Sequence, residues 1–255
     1  MSWSARQYTA FEAERTRPVR DLVAALPNAT AAQVVDLGCG PGNSTEVLLD
    51  RYPTAEALGL DSSADMIAAA RKRLPGPRFQ LGAIEGWTAP APVDVILSNA
   101  VLHWVDNHET LLPHLLAQLA PHGSLAVQMP DNMAEPALRL MAEVAADGPW
   151  AKTLSTVRGR GDPGSALHYY DVLAPHCSRV DVWRTTYHHV LAGGADAVVE
   201  WFKGSSLTPL LGALDPELRA GFLARYREEV ARAYPARADG SVLLPFPRLF
   251  FVATR

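Results

Sequence analysis

Apolar and polar positions along this chain switch between a period of two and a period of about 3.6, and the switches mark out short strands alternating with amphipathic helices. Val34-Val35-Asp36-Leu37 is a β-branched, apolar run that climbs into glycines, as a buried strand ending in a turn does. Ala57 to Asp61 reads as a second strand, Arg78 to Gly82 as a third, and Val93 to Ser98 as a fourth that is apolar on both faces. Val19, Leu22, Val23 and Leu26 recur at helical spacing between Pro18, suited to a first helical turn, and Pro27. Asn43 or Ser44 can cap a helix running to about Tyr52, and Ser62 or Ser63 one running to Leu74 with Met66, Ile67 and Ala70 on one face. A helix over Leu111 to Leu119, a turn at Pro121-His122-Gly123 and a fifth strand over Ser124 to Met129 follow.

From Pro130 to about Pro175 the rhythm breaks. A helix from about Glu135 to Ala146, the glycine-rich Arg158 to Gly164 and then His168-Tyr169-Tyr170 read as an inserted helical segment that covers a site. Alternation returns over Val180 to Val190, helical spacing over Ala195 to Lys203 and Asp215 to Tyr234, and alternation again over Val242 to Ala253, an antiparallel last strand. The amino-terminal stretch, with Trp3, Tyr8 and Phe11 among Arg6, Arg15 and Arg17, is too aromatic for a solvated tail and is expected to fold back over something. Strands alternating with helices require right-handed crossovers, so the fold class is α/β, with a doubly wound seven-stranded, Rossmann-like sheet.

In such a sheet the carboxyl ends of the strands lie along one edge, and Gly38, Asp61 and Asn99 all fall there. The glycine spacing narrows the ligand. A dinucleotide fingerprint needs G-x-G-x-x-G, but Asn43 stands where its last glycine would be, and Gly38-Cys39-Gly40-Pro41-Gly42 gives G-x-G-x-G instead. Backbone bared by glycine beside a helix amino terminus suits a nucleoside-type ligand, and Asp61 offers an acceptor-only group to two ribose hydroxyls.

The 255 residues, 48% of them hydrophobic, can bury a full core as one domain. A formal charge of −4, from 27 acidic and 23 basic residues without a long basic run, argues against a nucleic-acid surface, and no apolar run reaches membrane-spanning length. Two cysteines, Cys39 and Cys177, and no signal-like apolar core in the first thirty residues point to a reducing cytoplasm. Cys39 reads as a packing residue between glycines, and His188-His189, lacking a third ligand at metal spacing, as a strand pair, so no metal is expected.

Asp36-Leu37-Gly38-Cys39-Gly40-Pro41-Gly42 resembles motif I of the class I S-adenosylmethionine-dependent methyltransferases. Gln128-Met129-Pro130-Asp131-Asn132, Trp183-Arg184-Thr185-Thr186-Tyr187, Phe246-Pro247-Arg248-Leu249-Phe250 and Glu14-Arg15-Thr16-Arg17-Pro18 carry the likeness further, over nearly the whole chain, to the trans-aconitate 2-methyltransferase family. The resemblance implies one methyltransferase domain over 1–255: a cover and helix at 1–30, a cofactor-binding half at 31–130, the insertion at 130–178, and sheet and helices at 179–255. It implies S-adenosylmethionine as cofactor, with Asp36 toward its amino-acid end, Gly38, Gly40 and Asn43 in the turn, and Asp61, Ser62 and Met66 beyond the second strand. Ala83, Ile84, Asn99, His103 and Trp104 would complete that site. In the family an acid after the third strand contacts the adenine amino group; here Ala83 holds that place, so either backbone groups replace it or Glu85 reaches the same spot.

The acceptor implied is a small tricarboxylate, whose reacting carboxylate is ionised at neutral pH and needs no general base. Its other carboxylates call for fixed cations, and the candidates are Arg15 and Arg17, His168, Tyr169 and Tyr170, Arg184, Tyr187 and Arg248. Arg184 has an alternative in pairing with Asp181 or Glu200, and His103 in a structural role. Two other functions remain open: methylation of another small acid, a phenol or an amine, the last two needing a base that no residue clearly supplies, or a non-catalytic cofactor-binding regulator.

Overall fold

The computed structural model describes residues 12–157 and 164–255. The aromatic start with Trp3, Tyr8 and Phe11, and most of the glycine-rich Arg158 to Gly164, lie outside the described residues. In chain order the elements are α1 (Glu12–Ala24), β1 (Gln33–Leu37), α2 (Asn43–Arg51), β2 (Glu56–Asp61), α3 (Ala64–Arg73), β3 (Arg78–Leu81), β4 (Val93–Asn99), α4 (His108–Ala117) and β5 (Leu119–Pro130). Then come α5 (Pro136–Ala146), the short α6 (Ala151–Leu154), α7 (Ala166–Leu173), β6 (Arg179–Ala192), α8 (Gly194–Lys203), α9 (Leu207–Ala213), α10 (Pro216–Ala233) and β7 (Ser241–Thr254).

The seven strands form one sheet in the order β3-β2-β1-β4-β5-β7-β6. β1 to β5 pair in parallel, and β7 enters antiparallel between β5 and β6, as the alternation at 242–253 predicts. On one face α1 and α2 cover Val34, Val95, Leu97, Ala126, Phe250 and Val252; on the other, α4 and α7 cover Leu37, Ile96, Val127, Leu249 and Phe251. A separate apolar cluster joins α5, α8 and α10 through Met141, Trp201, Phe202, Phe222 and Tyr226. No helix among the described residues is long and apolar enough to cross a membrane.

Three elements depart from the periodicity. α1 does not begin at Pro18; it begins at Glu12 and runs through that proline. An interior proline costs about 3 kcal/mol, but Arg15, Thr16, Pro18, Val19, Leu22 and Val23 are all buried, and this packing outweighs the local preference. The stretch 119–123 belongs to β5, although the register jumps from Val93↔Leu119 to Val95↔Ser124, so the residues expected to turn bulge out of the ladder instead. α9 lies where no helical spacing was noted, and Leu207 and Pro209 are buried there.

The described residues of segment 130–178 do not form a single cover. α5 packs with α10 in the carboxyl-terminal helical cluster, whereas α7 crosses the opposite face of the sheet beside α4.

Candidate active site

The turn after β1 uses glycine for two reasons. Gly38, Gly40 and Gly42 have φ of 76, 52 and 90°, and a Cβ on Gly38 would lie 2.5 Å from the Val101 side chain. The Gly38 and Cys39 amides donate to the Leu60 carbonyl at 2.7 and 3.0 Å, which lashes the turn to β2. At the end of β2, Asp61 accepts from Gly40 N–H at 2.9 Å through Oδ2 and from Ser63 N–H at 2.8 Å through Oδ1. One carboxylate thus fixes both the glycine turn and the start of α3. Burial raises its pKa, against the lowering effect of these amide donors.

Asp36 lies behind the turn. It is fully buried, and its Oδ2 accepts from Ser44 and Thr45 hydroxyls, each at 2.7 Å. Burial pushes its pKa up to about 6, with the Asp61 charge adding a little. Period-two geometry explains the orientation: like Val34, Asp36 points to the α1–α2 face, so it ties the strand to α2 and does not line the cleft. Asn43 is likewise turned away, donating to Thr16 Oγ1 of α1, and Gly42 takes the N-cap position expected of Asn43 or Ser44.

Above the turn is a cavity of about 260 Å³. Gly38, Gly40, Asp61, Ser62 and Met66 form one side; Ala83, Ile84 and Glu85 a second; Asn99 to Val101 and Trp104 a third. Nothing lies within 4 Å of a Cβ built on Gly40, so a ligand can approach bare backbone there. An anchored carboxylate, an open glycine and the apolar sides of Met66 and Ile84 fit a nucleoside-type cofactor.

A second, smaller cavity of about 70 Å³ shares Ala100 and Trp104 with the first. Arg15, His103, Pro130, Trp201, Phe202, Gly204 to Ser206, Phe246 and Arg248 complete its wall. Arg15 and Arg248 are buried charges; their guanidinium carbons sit 5.4 and 4.8 Å from the ring centroids of Trp201 and Phe246. Arg15 donates to the Trp201 carbonyl at 3.4 Å and Arg248 to Gln128 Oε1 at 2.7 Å. Behind this wall His189 stacks on Trp201 with centroids 4.5 Å apart, and burial, reinforced by Arg248, Arg17 and Arg15, pushes it down to about 4, so it is neutral at pH 7. Ala100, at the junction, has φ of 56°, a left-handed conformation locked by its N–H donating to the Gln128 carbonyl at 2.8 Å.

Several expected residues lie elsewhere. His103 lines the arginine cavity and not the glycine-loop cavity. Tyr169 is buried in the core on the opposite face of the sheet, its hydroxyl 2.7 Å from His108 Nδ1, because the helical face of α7 turns it inward; Tyr170 is exposed and His168 faces Glu109 at 3.6 Å. Tyr187 donates to Asp21 at 2.6 Å with the exposed Arg17 against its ring. Arg184 pairs with Asp131 at 2.7 Å, not with Asp181 or Glu200. Of segment 130–178, Pro130 reaches the arginine cavity, whose described roof comes instead from the α8–α9 junction. Gln128, Trp201 and Phe246 escaped notice as site residues: Trp201 at helical spacing reads as core, and Gln128 stood out only within the Gln128-Met129-Pro130 stretch.

Residues 34–123 match the family model described as a methyltransferase domain. Over its full length the chain is 52% identical to a protein named trans-aconitate 2-methyltransferase from Rhizobium meliloti (strain 1021), covering 99% of it. It is also 52% identical to one of the same name from Methylobacterium nodulans, over 99% of this chain and 98% of that one. Among solved structures the YcgJ protein of a Bacillus aligns with a TM-score of 0.60 at 12% identity, over 94% of this chain and 98% of that one. The plantazolicin methyltransferase BpumL, solved in complex with S-adenosylhomocysteine, aligns at 0.51 and 16%, over 98% and 90%. At these identities the structural likeness establishes the fold.

Proposed function

The chain belongs to the trans-aconitate 2-methyltransferase family, and on that premise we propose that it transfers the methyl group of S-adenosylmethionine to a carboxylate of trans-aconitate, releasing the monomethyl ester and S-adenosylhomocysteine. The observation that carries this reading is the pair of buried arginines, Arg15 and Arg248, bordering a small aromatic-walled cavity that opens beside the glycine turn. S-Adenosylmethionine supplies an electrophilic sulfonium methyl group when bound.

Gly38 and Gly40 give it backbone to lie against, Asp61 and Ser62 meet its ribose, and Met66, Ala83 and Ile84 flank its base. An acceptor carboxylate is already an anion at pH 7. The chain therefore supplies no base; it holds the attacking oxygen and the methyl carbon in line, an effect worth up to about 7–11 kcal/mol. Arg15 and Arg248 fix carboxylates that do not react, each charge-assisted bond contributing about 1.5–3 kcal/mol. Trp104, Trp201 and Phe246 keep water from the junction. The small size of the arginine cavity supports a small-molecule acceptor over a nucleic acid, and two free cysteines, Cys39 and Cys177, support a reducing cytoplasm.

The test is a methyl-transfer assay on trans-aconitate, with cis-aconitate and citrate as controls, following S-adenosylhomocysteine release. Strong preference for trans-aconitate is expected. Turnover of another acid or a phenol in its place would overturn the substrate assignment, and cofactor binding without turnover on any acceptor would overturn the enzymatic one.

A further inference from the structure

The first turn of α1, which carries Arg15, is short of a backbone bond. In a helix the rungs that close this turn run from the N–H groups of residues 16, 17 and 18 to the carbonyls of 12, 13 and 14. Pro18 has no N–H, so the rung to Glu14 is missing. Beyond the proline, Val19, Leu22 and Val23 are packed in the core; ahead of it, side chains must make up the deficit.

They do so against three other helices and β6. Thr16 accepts from Asn43 Nδ2 at 3.3 Å, and Arg15 and Arg17 lie against the rings of Trp201 and Tyr187. At the helix start, Glu12 meets the guanidinium of Arg73, the last residue of α3. The same guanidinium donates from Nε to Glu46 Oε2 of α2 at 3.0 Å. One planar fork therefore joins α1, α2 and α3, a geometry that the single point charge of a lysine would not fix.

Arg73 is held at its other end by the glycine turn. A Cβ on Gly42 would lie 3.4 Å from Ala70 and 3.6 Å from Arg73 Cδ, so the stem of Arg73 rests beside the turn while its head grips α1. The side chains of this cluster are 27 to 45% exposed, and ion pairs that open to solvent add little stability. What they fix is position: the glycine-loop cavity lies on one side of Arg73, and Arg15, in the wall of the arginine cavity, on the other.

We propose that Arg73 is a positioning residue: by clasping Glu12 and Glu46 with one guanidinium, it fastens the turn that carries Arg15 against the glycine-loop half and so sets the affinity for the acceptor. The acceptor part rests on the function proposed above.

The test is Arg73→Met, which keeps an unbranched stem beside Gly42 and removes the fork. KM for trans-aconitate should rise at least fivefold, with kcat within twofold and S-adenosylhomocysteine affinity within threefold of wild type. Glu12→Gln should act in the same direction, and it stands in if Arg73→Met does not fold. The double variant should be no worse than about twice the larger single effect, because both changes break one contact. A folded Arg73→Met protein with wild-type KM, or single effects that multiply in full, overturns the proposal. So does a loss that falls on kcat and cofactor affinity as heavily as on KM, the mark of a merely structural role. If the wild-type protein does not turn over trans-aconitate, the function reading fails while the latch is still read by hydrogen exchange. The Thr16 and Arg17 amides should exchange at least tenfold faster in Arg73→Met, with those of Leu22 and Val23 within twofold of wild type. Unchanged rates at Thr16 and Arg17, or a uniform acceleration along α1, overturn the latch.

Discussion

The glycine-loop cavity takes its walls from the loops and helix starts that follow β1 to β4, within residues 38–105, whereas the arginine cavity also draws on α1, β5, α8 and β7 from both ends of the described chain. In the first, a glycine whose Cβ would strike Val101 and a carboxylate holding two amides make a rigid cradle. In the second, charge is set by two arginines and shape by Trp201 and Phe246. On the function proposed above, the cofactor would take the glycine-loop half and the acceptor the arginine half.

The sharpest way to break this division is Arg248→Met. Losing its charge-assisted bonds, together about 3 kcal/mol, should lower kcat/KM for trans-aconitate at least a hundredfold, with S-adenosylhomocysteine affinity by calorimetry within threefold of wild type. Comparable losses in both would mean that the two halves act as one. The converse variant, Asp61→Ala, should weaken S-adenosylhomocysteine binding about ten- to a hundredfold through about 1.5–3 kcal/mol of lost hydrogen bonding, and release the Gly40 and Ser63 amides as well. Unaltered affinity would remove Asp61 from the cradle.

A third comparison concerns pH. Because burial raises Asp36 from 3.8 to about 6, the folded cofactor-free protein holds a proton between those values that the unfolded chain has lost. Its stability should fall as pH rises through that window, by about 2–3 kcal/mol if nothing else titrates. Chemical denaturation of the wild type and of Asp36→Asn across pH 4 to 7 checks this, the variant lacking that part of the fall. The smallest effect should come from Arg184→Ala, since Arg184 is itself exposed in its pair with Asp131 and surface ion pairs are worth about 0–1 kcal/mol. Acceptor KM within twofold of wild type is expected, and a tenfold rise would return Arg184 to the acceptor site.

The contrast also explains what could be read from the sequence. The strands, the glycine turn and Asp61 depend on short-range pattern, and the structure holds them together as the spacing requires. Asp36 and Asn43 show the limit of motif reading: adjacency to the turn was visible, but only the pleat and the packing of α1 on α2 decide that both point behind it. Arg15 and Arg248 were legible as candidates, but which arginines converge depends on β7 entering beside β5 and on α1 continuing past Pro18. Tyr169 had the right chemistry on a helix whose inward face is fixed by contacts with α4 and β6.

The position of β7 has a consequence for how the molecule is made. β6 stands at the sheet edge with β7 as its neighbour, and β7 is later in the sequence. A nascent chain leaving the ribosome can pair β1 to β5 and shape the glycine turn early, domains folding from the amino-terminal side as they emerge. β6 must wait with its ladder groups exposed until residues 241–254 arrive to bridge it to β5. Arg248 arrives on that same bridging strand, so the arginine cavity, whose Arg15 is made early on α1, is completed only when β7 joins the sheet.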